Sequence, residues 1–220
     1  MLELGEERLN LLRGDLEALS NGKLDVPVDS DLSSALRHVN ARQDKFRMPL
    51  FDVRENAPFS YEVKSDEELL LFSGGKTSLA TAIRLRSMHK NVNLLHIEES
   101  PELTARCLEM ADKLRLPLLI QQTDFNIGNN VYTGMMLAQE AIELAVQNEI
   151  SPRVYMGYFY MASVTNNPSK DWKYCNEFIG AYNTAVSKYV RGAQIVGLLP
   201  SPSVVDDELM RCKEFNKFFA

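Results

Sequence analysis

Cysteine is scarce in this chain and poorly spaced for structural work. Cys107, Cys175 and Cys212 lie far apart with no C-x-x-C pair among them, which argues against a zinc ribbon or a disulfide framework and suits a reducing compartment. With only 3 histidines to add to them, no zinc is expected. Long apolar runs are missing too, falling far short of the ~20 residues that a membrane helix needs. The N-terminus, with Glu3, Glu6 and Glu7, is unlike a signal peptide. A basic excess is also absent: 24 Lys and Arg against 30 Asp and Glu give a formal charge of −6. No sequence-wide attraction to nucleic acid or anionic membrane follows from that balance, so a small-molecule partner is expected, in a cytoplasmic protein. No internal repeat or low-complexity tract is visible.

What is present is enough apolar material for a full core, 45% of 220 residues. The chain divides by pattern near residue 66. In the first part Leu9, Leu12, Leu16 and Leu19 recur at helical spacing and Gly22 follows as a stop. A charged, weakly periodic stretch over 25–56 and a short strand near 59–63 complete this N-terminal extension, whose apolar stripe is a candidate cap or homo-oligomer contact. Residues 67–220 form the second part, where short apolar runs alternate with helical stretches. Strands are predicted at 69–72, 92–97, 118–121, 154–159 and 194–199, and helices at 77–89, 101–115, 131–147 and 176–189. Pro101 suits a first helical turn. The expected fold is an α/β domain with an open, doubly wound, five-stranded parallel sheet of Rossmann-like type, its ligands at the carboxyl ends of the strands.

One junction carries chemistry. The strand Leu69-Leu70-Leu71-Phe72 runs directly into Ser73-Gly74-Gly75-Lys76-Thr77-Ser78 and then into Leu79-Ala80-Thr81-Ala82. A buried strand, a glycine turn and a helix start in that order aim backbone N–H groups at an anion, with about half a positive charge added by the helix terminus. The glycines are expected to clear Cβ atoms from the anion's path. Lys76, Thr77 and both serines add an ammonium and hydroxyl donors suited to phosphate oxygens. Gly75-Lys76-Thr77 is similar to the end of a Walker A loop, yet Leu70 stands where that loop requires its first glycine.

The better match is to the S-G-G-x-D-S signature of PP-loop ATP pyrophosphatases, which the segment resembles at five of six positions. Within that group the chain most resembles 7-cyano-7-deazaguanine synthase. Gly128-Asn129-Asn130, the helix carrying Ala138, Ala141 and Ala145, and the strand Val154-Tyr155-Met156-Gly157 follow that family's order. So does Tyr174-Cys175-Asn176-Glu177-Phe178-Ile179-Gly180-Ala181-Tyr182-Asn183, and the similarity spans about residues 67 to 200. The resemblance implies ATP-dependent activation of a carboxylate on a 7-deazapurine, attack by ammonia and dehydration of the amide to a nitrile. It implies ATP on Ser73, Gly74, Gly75, Lys76, Thr77, Ser78, His96, Ile97, Asn129 and Gly157, with Lys76, Thr77 and Ser78 in the catalytic role. It places Asn130, Asp171, Cys175 and Glu177 at the deazapurine, and Mg²⁺ with the phosphates.

The departures are specific. Thr77 stands where the family has an acidic residue, Asn129 where it has arginine, and Ser201-Pro202-Ser203-Val204-Val205 where a lysine is expected. The family's closing cysteine cluster is reduced to Cys212. A hydroxyl is a weaker ligand than a carboxylate for a hard cation, so weakened Mg²⁺ binding is expected. Two further readings stay open: a reduced homologue that binds a nucleotide as a structural or regulatory protein, and a PP-loop enzyme acting on another carboxylate. His96 is either a nucleotide contact or a packed strand residue. Glu98 and Glu99 read chiefly as a solvated loop pair. By its place in the resembling motif Cys175 reads as a nucleophile or a pocket residue, and otherwise as an inert thiol. Trp172 and Tyr174 lie in a mixed loop where a heterocycle could stack.

Overall fold

A computed structural model describes residues 10, 13–14, 60–123, 131–157, 176–199 and 202–219. Its centre is β1 (Glu68–Leu71), where Leu69 and Leu70 are fully buried and Leu71 nearly so. An uninterrupted leucine run is what a strand covered on both faces requires. In chain order follow α1 (Lys76–Ser87), β2 (Val92–Ile97), α2 (Pro101–Leu114), β3 (Leu118–Gln121), α3 (Val131–Gln147), β4 (Arg153–Met156), α4 (Asn176–Tyr189), β5 (Gln194–Val196), α5 (Pro202–Arg211) and a 3₁₀ turn, Lys213–Phe218. The five strands pair in the order β3-β2-β1-β4-β5, every pair parallel. The chain therefore winds outward from β1 through β2 to β3, then returns to the other side of β1 for β4 and β5. Right-handed crossovers put α1 and α2 on one face of this Rossmann-like sheet and α3 and α4 on the other. The winding reverses between β1 and β4, and in such sheets the crevice for ligands opens there.

Local sequence explains the helices that flank this crevice. Ser100 caps α2 by accepting from the Leu103 N–H at 3.3 Å, Pro101 occupies its first turn, and Arg115 closes it in the left-handed conformation. Its inner face buries Cys107, Met110, Ala111 and Leu114. In α3 the fully buried Ala138, Ala141 and Ala145 keep the helix surface flat, so that it lies close on β1 and β4. Leu70, Phe72, Leu79, Leu94, Met110, Tyr155 and Phe215 belong to one core cluster on the α1 and α2 side.

Little of the N-terminal extension falls among the described residues, but what does is tied to the sheet domain. Arg13, in a helical segment, forms an ion pair with Glu143 of α3 through Nε and Nη2. Gln139 donates to Glu143 at 3.1 Å, and the buried Tyr182 hydroxyl of α4 donates to Gln139 at 2.8 Å. Tyr61 donates to the Ile150 carbonyl, and Lys64 pairs with Glu149.

One sequence expectation is corrected, and one element is added. Residues 60–63 are not a strand; a single bridge, Ser65 to Ile150, is the sheet-like contact of this stretch. Tyr61 and Val63 alternate with Ser60, Glu62 and Lys64, but Val63 stays exposed, so the alternation buries no apolar face. Residues 202–211, given no element from the sequence, form α5: proline occupies its first helical position, where no N–H is needed. Val205 and Leu209 anchor α5 in the core against α1.

Candidate functional site

The turn leaving β1 sits at the carboxyl edge of the sheet, beside the β1–β4 opening. Phe72 continues the ladder by donating its N–H to the Leu95 carbonyl at 2.8 Å. The chain then turns through Gly74 at φ 66°, a left-handed conformation that favours glycine. Gly75 precedes α1 with no side-chain cap. The first-turn amides of α1 thus have no intrahelical acceptor and no side chain satisfying them, the arrangement that binds anions at helix starts.

The two serines serve the turn itself. Ser78 Oγ donates to the Gly75 carbonyl at 3.0 Å and lies 3.3 Å from Ser73 Oγ, which in turn receives the Gly75 N–H at 3.4 Å. A carbonyl can only accept, so the single Ser78 proton points inward and Ser73 donates to Ser78. Both hydroxyl protons are used in lacing the loop. Donors left for an anion are the α1 amides, the Thr77 hydroxyl and the exposed Lys76 ammonium.

Gly74 is placed differently from the sequence expectation. A Cβ there would lie 2.9 Å from Cys107 Sγ, with Leu103 and Met110 just beyond. Its missing side chain lets α2 pack beneath the turn instead of clearing the anion's approach. The closer approach of two backbones is at Gly157, after β4, where a Cβ would fall 2.8 Å from the Ser78 nitrogen and 3.1 Å from Thr77 C. Glycine at 157 is what permits the end of β4 to rest on the start of α1.

A cavity of about 250 Å³ opens over this junction, near the lower end of small-molecule sites. Ser73, Gly75, Lys76, Thr77 and Ser78 line it together with His96, Ile97 and Gly157. Eight residues assigned to the nucleotide from sequence are thereby brought to one place. Gly74 lies under the turn, and Asn129, Asn130, Asp171 and Cys175 lie outside the described residues. Glu177 falls in the first turn of α4. Sequence reading did not assign Glu99, Leu137 and Met156, which also line the cavity. Glu99 was legible as a residue just past β2; it is exposed at the cavity, while its neighbour Glu98 is half-buried and accepts from Gln122 at 3.0 Å.

His96 is 1% exposed and spends both ring nitrogens inside the fold. Nδ1 lies 3.1 Å from the Phe72 carbonyl and Nε2 lies 3.0 Å from Thr104 Oγ1. The carbonyl requires a donor, so in the neutral ring Nδ1 carries the proton and Nε2 accepts from the threonine. His96 thus pins the last residue of the β1 run to α2, directly beneath the turn. Cys107 is fully buried against the same carbonyl, and desolvation pushes its thiol up to about 11. Such a thiol is inert.

Among the described residues no group of three or more His, Cys, Asp or Glu could hold a metal ion. None of their helices is long and apolar enough to cross a membrane.

No protein-family profile matches the chain, and no curated protein matches it. Among solved structures it is similar to one described as a "predicted subunit of tRNA methyltransferase" from Methanocaldococcus jannaschii. That likeness has 15% identity and a TM-score of 0.38, over 64% of this chain and 72% of the other. The Rossmann-like character of the domain follows from its own strand order.

Proposed function

We propose that the chain binds ATP with its phosphates on residues 73–78 and uses it to activate a carboxylate, the reaction of the PP-loop enzymes its sequence resembles. The observation that carries this reading is the uncapped start of α1, flanked by Lys76 and Thr77, facing a cavity at the reversal point of the sheet. Polyphosphate suits that site because amides, helix terminus and ammonium all favour negative charge. Ile97 and the His96 backbone at the end of β2 form the side on which the adenine would rest. The deazapurine acid and ammonia are the co-substrates that the resemblance implies, with Asn130, Asp171, Cys175 and Glu177 as the residues to receive them.

ATP brings an electrophilic phosphorus and a pyrophosphate leaving group. The chain's own contribution is to fix that group and to stabilise the charge that develops on it. Lys76 supplies the mobile cation, Thr77 a hydroxyl donor, and the α1 amides, Ser78's among them, a fixed dipole. Glu99 is the one carboxylate lining the cavity among the described residues. That donor set fits a Mg²⁺ ion carried mainly on phosphate oxygens and water, with little help from the protein.

A second reading is favoured by one feature of this turn: a hydroxyl at residue 77 where the resembling enzymes have an acid. On that reading the chain binds the nucleotide without turning it over. Pyrophosphate release from ATP, Mg²⁺, ammonia and 7-carboxy-7-deazaguanine separates the two, measured side by side for the native chain and Thr77→Asp. Turnover by the native chain supports the enzyme. Turnover only in Thr77→Asp supports the reduced homologue, and failure of both chains to bind ATP removes both readings.

A further inference from the structure

Lys76 and Arg106 meet at one aromatic ring. The Lys76 ammonium lies 5.7 Å, and the Arg106 guanidinium carbon 5.0 Å, from the centre of Phe219. Neither cation has a carboxylate partner among the described residues, whereas Arg84, Lys90 and Arg211 each pair with a buried glutamate. Arg106 Nε is shielded from solvent with no acceptor. Its neighbour Cys107 packs under Gly74, which fixes this part of α2 against the phosphate turn. Two cations thus stand against one ring beside a helix start that is itself positive, in a chain of net charge −6. An aromatic face offsets only part of a cation's charge. An anion shared between them would neutralise both and satisfy the guanidinium.

Lys76 lines the cavity, and Arg106 stands beyond it on the α2 side. We propose that Lys76 and Arg106 form a seat for the distal phosphates of the bound nucleotide, and that Phe219 is a positioning residue holding both head groups at the edge of the turn. The inference rests on the ATP reading above and extends it: the site selects a triphosphate over a monophosphate. The turn and the α1 amides serve the phosphates of either nucleotide, while only the distal groups of a triphosphate extend to Arg106.

Calorimetric titration of the full chain with ATP and with AMP, at several salt concentrations, tests this. Arg106→Gln should weaken ATP about tenfold, the loss of one charge-assisted contact, and leave AMP within about twofold. It should also flatten the salt dependence of ATP affinity, which a purely structural role would not do. Arg106→Lys, which keeps the charge, should restore most of the ATP affinity. Phe219→Leu should weaken ATP about threefold by loosening the head groups, with AMP again unchanged. ATP affinity untouched by Arg106→Gln, or ATP and AMP lost in equal measure, overturns the proposal while leaving the ATP reading intact. Absence of ATP binding by the native chain overturns the ATP reading itself.

Discussion

Gly74 is the residue on which the turn depends most, for two separate reasons. Its φ of 66° is strained for any side chain, and a Cβ would meet Cys107 Sγ at 2.9 Å. Gly74→Ala should therefore destabilise the fold by about 1–3 kcal/mol, backbone strain and overpacking together, read from the urea midpoint. An unchanged midpoint would show that the turn is not built as described. Cys107 makes a second prediction at this scale. Burial pushes its pKa up to about 11 from the ordinary thiol value of 9.0, so the protonated thiol is favoured in the folded chain. Below pH ~9 both states keep the proton and the stability is fully present; it is lost as pH rises through about 11. Tyr155 and Tyr182, also raised chiefly by desolvation, lose stability in the same direction. Urea melts should show native stability falling by about 2 kcal/mol or more between pH 8.5 and about 11, and Cys107→Ala should reduce that slope.

Among the elements, α3 and α4 are joined by a polar contact inside an otherwise apolar layer. Tyr182 and Gln139 are both fully buried, and the tyrosine hydroxyl is a donor to the glutamine oxygen. Gln139 holds Glu143, and Glu143 holds Arg13 of the N-terminal extension. Tyr182→Phe leaves that glutamine oxygen buried without its donor and should cost about 1–3 kcal/mol, by thermal or urea unfolding. A variant as stable as the native chain would mean that the chain of contacts contributes nothing. Strands and helices of this layer were legible because they are periodic or uniformly apolar: β2, β3, α3 and α4 match their sequence bounds at both ends. α5 was not assigned from the sequence, because a proline marks a helix start only once the turns that follow it are known. The 59–63 strand misled because aromatic and β-branched residues at 59, 61 and 63 imitate alternation, whereas 60–63 form no strand and the Tyr61 hydroxyl donates to the Ile150 carbonyl.

For the whole molecule, the strand order β3-β2-β1-β4-β5 decides where a ligand can sit, and the 73–78 turn leaves the central strand at that point. The turn was legible from adjacent residues, because strand, glycines and helix start follow one another. What it does internally was not. The inward use of Ser73 and Ser78, the direction of the Gly74 gap, the ring nitrogens of His96 and the place of Glu99 and Phe219 depend on segments far apart in sequence. Local spacing carries no information about which distant side chain closes a given gap. The account's central claim is that a nucleotide's phosphates rest on the amides at the start of α1. Amide resonances of a ¹⁵N-labelled chain, followed through a titration with ATP, test it most directly. The account predicts that the largest shifts fall on Gly75, Lys76, Thr77 and Ser78, with Gly157 responding through its contact with Ser78. ATP binding that leaves these amides unmoved and shifts residues at another surface would contradict it.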